Sequence, residues 1–376
     1  MTTPSLLPDA DLLPVLDDWH ALLVSGVPLL DARAPVEFAE GALPTATNLP
    51  LMDDADRDAI GKRYKHAGQD EAIELGLKLV SGDLKAQRIA AWEQFVREHP
   101  QGALYCFRGG LRSRITQQWL YTHTGIAYPR VQGGYKAMRR YLLEQLETLP
   151  TRYQNYVLSG RTGSGKTRFL SSFRQQVDLE GLANHRGSAF GPQVTPQPSQ
   201  ASFENALAVR LLQQLVAGHR ALLFEDESRN IGSVHLPDAL FLALRAAPLV
   251  MLQTPDEERV QISYQEYVVD MTAAFARLYG EDGFAAFSAY LLGSLAKVQK
   301  RLGGVRYAHV LGLMQAALAG QARTGDTEAH LDWVRFILLE YYDPMYDYQI
   351  SKKQERLVFA GNAPEVREYL ASCAVC

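Results

Sequence analysis

Cys106 is followed closely by Arg108, Gly109, Gly110, Arg112 and Arg114. Two glycines let successive backbone N–H groups turn toward one point, and three guanidinium groups add positive charge, so the loop suits an anion held beside a thiol. Such surroundings favour the thiolate, which is the nucleophilic form of cysteine. The plain alternative, a buried structural cysteine, accounts for the sulfur but not for the arginines and glycines around it. Further along, Gly160, Arg161, Thr162, Gly163, Ser164, Gly165, Lys166 and Thr167 fit the pattern G-x-x-x-x-G-K-S/T. There the backbone amides cradle a polyphosphate, Lys166 neutralises its terminal phosphate and the Thr167 hydroxyl can ligate Mg²⁺. The pattern speaks for phosphate binding and not for ATP hydrolysis, and no N-K-x-D guanine-reading motif accompanies it. One chain thus carries two anion sites of different chemistry.

Each loop needs a strand before it and a helix after it. Gly102 to Phe107 is a short apolar run that reads as a buried strand, and a helical pattern follows from about Ser113, so Cys106 falls at a strand's carboxyl end. Tyr156 to Ser159 reads as a second strand, with a helix opening at Thr167; this strand–loop–helix context is what the phosphate-loop pattern requires. Ala221 to Phe224 is an apolar strand ending in Glu225 and Asp226, acids suited to a Mg²⁺ ion beside the phosphates, and Arg245 to Leu252 offers a further parallel strand. From 256 to 340 the apolar spacing is helical, as in Phe275, Leu278, Phe287 and Leu291, and predicts a helical extension. Pro150 breaks the helix that precedes the second loop, which sets a first domain at 1–146 and a second at 147–376. A long polar stretch from Gly181 to Gln200, rich in Pro and Gln near its end, reads as a functional or mobile loop.

The first domain resembles a rhodanese. The likeness rests on Leu29 to Arg33, Glu37 and Phe38, Gly41 to Pro44, Ala46 to Pro50, the Cys106 loop, and Val131 to Tyr135 with its Gly133–Gly134 turn. It implies a domain that carries sulfur or selenium on its cysteine. Cys106 to Arg112 also has the C-x5-R spacing of cysteine-dependent phosphatases, with Tyr105 where those usually have histidine; spacing leaves both chemistries open. The fold expected is α/β: a rhodanese-like domain, then a P-loop NTPase-like parallel-sheet domain with a C-terminal helical extension.

At 376 residues, two domains can each bury a full core, and 47% hydrophobic with 21% charged residues are globular values. The first residues lack a basic segment followed by an apolar run, and no stretch is long and apolar enough to span a membrane, so a cytoplasmic protein is expected. Three cysteines exclude a disulfide scaffold; Cys373 and Cys376 form C-x-x-C on the last residues, where a frayed tail is the simpler reading than a resolving thiol. The net charge of −4 advertises no global field for nucleic acid, but a polyanion can use a local patch. Arg139 and Arg140, after the rhodanese-like part, and Lys300 and Arg301, further on, are the candidates for RNA phosphates, against the alternative of solvated helix faces. The aromatic run from Tyr341 to Tyr348 could stack bases or pack a helix end.

Taken together, the chain resembles the tRNA 2-selenouridine synthase family. The likeness rests on the Cys106 loop, the 160–167 loop, Asp178 to Ser188, Glu225 to Arg229 with Ile231 and Gly232, and Tyr341 to Tyr346. It implies an enzyme that replaces the sulfur of wobble 2-thiouridine in the tRNA anticodon with selenium from selenophosphate, by way of an S-geranyl intermediate made from geranyl diphosphate. Its partners would be tRNA, selenophosphate and the supplier of selenophosphate, with no tightly bound cofactor and with Mg²⁺ as an option. The chemistry suits the two loops. Alkylating the thiocarbonyl sulfur turns it into a leaving group, which needs a diphosphate held by amides and lysine at 160–167; selenium then needs an anion site beside Cys106. Rival classes are an ATP-using rhodanese-type sulfurtransferase acting on tRNA, a small-molecule kinase with a phosphatase-like domain, and a nucleotide-gated RNA-binding adaptor.

Overall fold

The computed structural model describes residues 12–375. Cys376, half of the C-x-x-C pair, lies outside the described residues; Cys373 is a half-buried free thiol. The chain divides into two compact units, one of 1–146 with 199–216 and one of 147–198 with 217–376.

The first unit is built on β1 (Val15–Leu16), β2 (Leu29–Asp31), β3 (Ala46–Asn48), β4 (Ala103–Tyr105) and β5 (Arg130–Val131), in the order β1-β5-β4-β2-β3. All neighbours are parallel, with Leu29 opposite both Ala46 and Ala103. Parallel strands covered on both faces carry continuous apolar runs, and β2 and β4 are buried at every position. Leu30, Leu104, Trp92 and Leu120 are fully buried in one core cluster. Between β3 and β4 the chain inserts three helices, Asp54–Ala67, Gln69–Leu79 and Gly82–Glu98. The third packs into the core through Ile89, Trp92, Phe95 and Val96, whereas the first has no buried residue and the second only Ala72.

The helix Gln200–Val216 is counted with this unit, which corrects the boundary read from the sequence. The reason is polar as well as apolar. Arg139 pairs with Glu204 and donates to Asn205 Oδ1 at 3.1 Å, Asn205 Nδ2 donates to the Ala42 carbonyl at 2.8 Å, and the Ala42 amide donates to Ser202 Oγ.

The second unit is built on β6 (Gln154–Ser159), β7 (Gln176–Val177), β8 (Ala221–Glu225), β9 (Asn230–Ile231), β10 (Val234–His235), β11 (Leu249–Leu252) and β12 (Leu357–Gly361). The main sheet runs β12-β11-β6-β8-β7, all parallel, while β9 and β10 form a small antiparallel hairpin. The phosphate-loop strand β6 is therefore central and the acid-bearing strand β8 is its neighbour. Helices from Asp256 to Ser351 gather round a core of their own that includes Phe287, Leu291, Trp333 and Ile337. The helical extension is thus an excursion: the chain returns to the sheet with β12 and closes on the helix Ala363–Ser372, whose Asn362 and Glu365 form a reciprocal cap. Among the described residues no helix is long and apolar enough to cross a membrane.

Candidate active site

Cys106 follows β4 directly and precedes the helix Leu111–Thr124, which starts after Gly110. Backbone contacts fix the loop. The Tyr135 amide donates to the Cys106 carbonyl at 2.9 Å and the Lys136 amide to the Phe107 carbonyl at 2.9 Å, so two loop carbonyls are committed to the helix Gly134–Thr148. Gly109 has φ +62°, and a Cβ there would stand 2.7 Å from the Gly133 amide nitrogen and the Val131 carbonyl oxygen; no side chain fits between the two glycine turns.

Cys106 is 2% exposed, and its Sγ–H donates to Ser113 Oγ at 3.3 Å; that hydroxyl donates in turn to the Gly110 carbonyl. Arg112 is engaged: Nη1 and Nη2 donate to the two oxygens of Glu37 at 2.5 and 3.0 Å. Burial works against both charges. The ion pair outweighs it, holding the Glu37 carboxyl below its ordinary range and the Arg112 guanidinium above. An incoming anion must therefore share Arg112 with Glu37. Arg57 approaches Glu37 at 3.3 Å, Arg108 is exposed, and Arg114 lies partly buried in the helix's first turn. Behind the loop, Asp31 and Arg33 form a fully buried bidentate pair, with Arg33 lying 3.9 Å from the Tyr135 ring centroid; the Leu29–Arg33 motif is a strut for the site. A cavity of about 700 Å³ opens beside Cys106, walled by the two helices that scarcely enter the core.

The 160–167 loop joins β6 to the helix Lys166–Leu170, with Gly163 and Gly165 at φ +78° and +75°. Four of its carbonyls are occupied by side chains. Arg259 Nε donates to Thr162 O at 3.1 Å and Thr254 Oγ1 to Ser164 O at 2.9 Å, while Lys166 Nζ donates to Gly160 O at 2.7 Å and Arg161 O at 3.3 Å. With carbonyls tied back, amides are left for an anion, and the lysine has only neutral partners to give up to a phosphate. Burial works against the Lys166 charge. Tyr346, Glu180, Glu227 and Asp226 overcome it, so the ammonium is retained.

Arg259 is 1% exposed and anchors the loop to Asp343 by two bonds, at 2.9 and 2.5 Å. Removing one partner of such a buried pair costs about 3–5 kcal/mol. Arg161 reaches the same segment through Asp347 at 2.7 Å. The Tyr341–Tyr348 run therefore serves the phosphate loop through its aspartates. Tyr341 and Tyr342 are buried, as packing of a helix end requires, and Tyr346 lies 5.7 Å from Lys166 Nζ.

The acids differ from the expected pair. Asp226 accepts from Ser159 Oγ at 2.8 Å and from Lys353 Nζ at 2.7 Å, so its carboxylate is neutralised within the unit. Glu225 accepts from the Leu179 and Glu180 amides with one oxygen, and its other oxygen is buried without a partner. Thr167 Oγ1 instead donates to Glu180 Oε2 at 3.2 Å. Burial lifts Glu180, Glu225 and Glu227 above the ordinary carboxylate range; repulsion from Glu180 adds to it at Glu225 and Glu227, whereas Lys166 opposes it at Glu180. Oxygen donors beside Thr167 suit Mg²⁺, but among the described residues no group of three or more His, Cys, Asp or Glu side chains is arranged to hold a metal.

The polar stretch after Gly181 is pinned rather than loose. Asn184 Nδ2 donates to Thr195 and Pro196, and Gln197 Nε2 to the Ala183 and Ile231 carbonyls. Of the RNA candidates, Arg139 is spent on Glu204 and Asn205, whereas Arg140, Lys300 and Arg301 are exposed. Sequence reasoning missed Glu37, Arg57, Glu180, Arg259, Asp343 and Lys353. Glu37, Glu180 and Asp343 stood within the motifs that carry the resemblance, and Asp347 between tyrosines; Arg57, Arg259 and Lys353 carry no local signal.

Two α/β units, one with a thiol loop and one with a phosphate loop, have the build of a group-transfer enzyme. Comparison narrows the class. The family described as tRNA 2-selenouridine synthase AAA domain matches residues 153–375. A tRNA 2-selenouridine synthase from Marinobacter nauticus is 50% identical over 96% of this chain and 98% of its own length, and one from Pseudomonas fluorescens is 51% identical over 94% and 96%. The chain belongs to the tRNA 2-selenouridine synthase family. The crystallised N-terminal domain of a Clostridium difficile protein titled as ATP/GTP binding is 28% identical over 34% of this chain and 98% of its own, with a TM-score of 0.30, too low to bear on function.

Proposed function

We propose that the protein converts wobble 2-thiouridine in tRNA to 2-selenouridine in two steps. Geranyl diphosphate bound at residues 160–167 alkylates the sulfur, and diphosphate leaves against Lys166 and the loop amides. Selenophosphate bound beside Cys106 then supplies selenium, the alkylated sulfur departs as a thiol, and phosphate is released on hydrolysis. Cys106 is the selenium-transfer residue, acting as acid and base: its thiol protonates the departing sulfur and the resulting thiolate takes the proton of selenophosphate. Ser113 can turn its hydroxyl to donate to the sulfur once the thiolate forms. The observation that carries the reading is the pairing, in a member of this family, of a buried thiol with an anion loop and a phosphate loop whose Gly160, Arg161, Thr162 and Ser164 carbonyls are tied back. The work is cytoplasmic, and a selenophosphate-producing enzyme must feed it.

The test is direct. Purified protein, 2-thiouridine tRNA, geranyl diphosphate and selenophosphate are combined, and the nucleosides are read by mass spectrometry. S-geranyl-2-thiouridine should rise and then give way to 2-selenouridine; selenouridine formed without geranyl diphosphate would end the two-step scheme. Arg140, Lys300 and Arg301 are the surface cations proposed to meet tRNA phosphates. Charge-removing changes there should weaken tRNA binding and flatten its dependence on salt, because each lost contact releases fewer counterions. An unchanged salt slope would remove them from the interface.

A further inference from the structure

We infer that the cavity beside Cys106 receives the apolar chain carried on the sulfur of the alkylated base, so that the chain departs from the site where selenium arrives. The inference rests on the two-step reading above and adds a place for the chain that the phosphate loop does not supply.

The cavity is mixed in character. Cys106, Arg57, Arg108 and Arg112 with Glu37 make its cationic part; Ile60, Ile73, Leu77, Leu51, Ile115 and Trp119 make its apolar wall, with Glu40, Tyr64, Lys65 and Gln69 among the rest of the lining. Its volume of about 700 Å³ lies within the range of sites that enclose an organic ligand, roughly 300–1,000 Å³. Selenophosphate is small and wholly polar. It needs the cationic part and leaves the apolar wall without a use.

The wall helices point the same way. Helix Asp54–Ala67 has no buried residue and Gln69–Leu79 only Ala72, so Ile60, Ile73 and Leu77 are only partly buried by the protein itself. Gly76 places a bare backbone against Ile60, where an added Cβ would stand 3.3 Å from Cδ1, and keeps the two helices close. An apolar chain lying between these helices and the Cys106 loop would complete their burial. A thioether joining that chain to a base would then sit between apolar wall and cationic part, beside Sγ.

The step is balanced without an oxidant. Selenium forms the bond to C2 of the base and the C2–S bond breaks. The sulfur leaves with its chain and one proton as an alkyl thiol, and water cleaves the selenium–phosphorus bond to give phosphate.

The experiment uses the full chain, selenophosphate, and RNA oligonucleotides carrying 2-thiouridine that is free, S-methylated, S-alkylated with a five-carbon prenyl group, or S-geranylated, with 2-selenouridine as the readout. Each buried methylene is worth about a factor of four, so S-geranyl RNA should exceed S-methyl RNA by at least about 100-fold in kcat/KM. Leu77→Asp should bring that ratio toward one. Ile73→Trp, which shortens the cavity, should move the preference from a ten-carbon to a five-carbon chain. A ratio is insensitive to partial loss of fold, because both substrates then fall together. Conversion of S-geranyl RNA with no chain-length preference, or with a preference untouched by both variants, overturns the inference and leaves the two-step reading standing. Conversion of free 2-thiouridine RNA but not of S-geranyl RNA overturns both.

Discussion

With Cys106 replaced by alanine, 2-selenouridine should fall below detection while S-geranyl-2-thiouridine accumulates. The sulfur is the one thiol of the loop, and it is 2% exposed at the end of a fully buried strand, with Ser113 as its hydrogen-bond partner. Alanine keeps the backbone bonds from Tyr135 and Lys136 that shape the loop. The variant therefore removes the thiol without opening the site, and loss of activity reads on chemistry. The 160–167 loop lies in the other unit and keeps its own anchors, Arg259 and Thr254. Nucleoside mass spectrometry on tRNA treated with the variant decides the matter. Selenouridine at the wild-type rate would remove Cys106 from the reaction, and loss of both products would point to a damaged fold, which circular dichroism and a thermal melt would reveal.

Lys166→Ala should weaken geranyl diphosphate binding by roughly 10- to 150-fold, the worth of one charge-assisted hydrogen bond of about 1.5–3 kcal/mol, and should stop alkylation. The lysine donates to two carbonyls of its own loop, so the apo protein is not left with an unpaired charge; a diphosphate draws Nζ across. The neighbouring amides cannot replace a point charge. Its loss also leaves Glu180 and Glu227 without a cation that opposes their burial, and their protonation should rise further. Calorimetric titration of geranyl diphosphate into both proteins gives the comparison. Equal affinities would detach the diphosphate from this loop and favour a different polyphosphate there.

What the sequence made legible was local. Strand, glycine turn and helix follow one another within a dozen or so residues, so the Cys106 and Lys166 loops and the parallel strands under them could be read from patterning alone. Partners that arrive from far along the chain could not. Glu37 meets Arg112 across 75 residues and Asp343 meets Arg259 across 84, and no spacing rule joins them. The acids show the same limit. Glu225 and Asp226 were visible because they end a strand, but Lys353 takes Asp226 from 127 residues away, and Glu180 reaches Thr167 only because a short helix follows β7. Arg139 resembled a solvated cation for want of any sign of Glu204. Among the cations, burial decides function, and burial is a property of the fold.

The helix Gln200–Val216 lies in the chain between β7 and β8 yet completes the other unit. A cut at 146 would thus strip the first unit of a helix bearing eight buried residues and of the ion pair at Arg139. During synthesis, that unit stays unfinished until residue 216 has emerged, by which time the phosphate loop has already left the ribosome. Neither half can be inherited, truncated or matured on its own schedule. Genetic separation of the two chemistries would have to begin by rerouting this one segment.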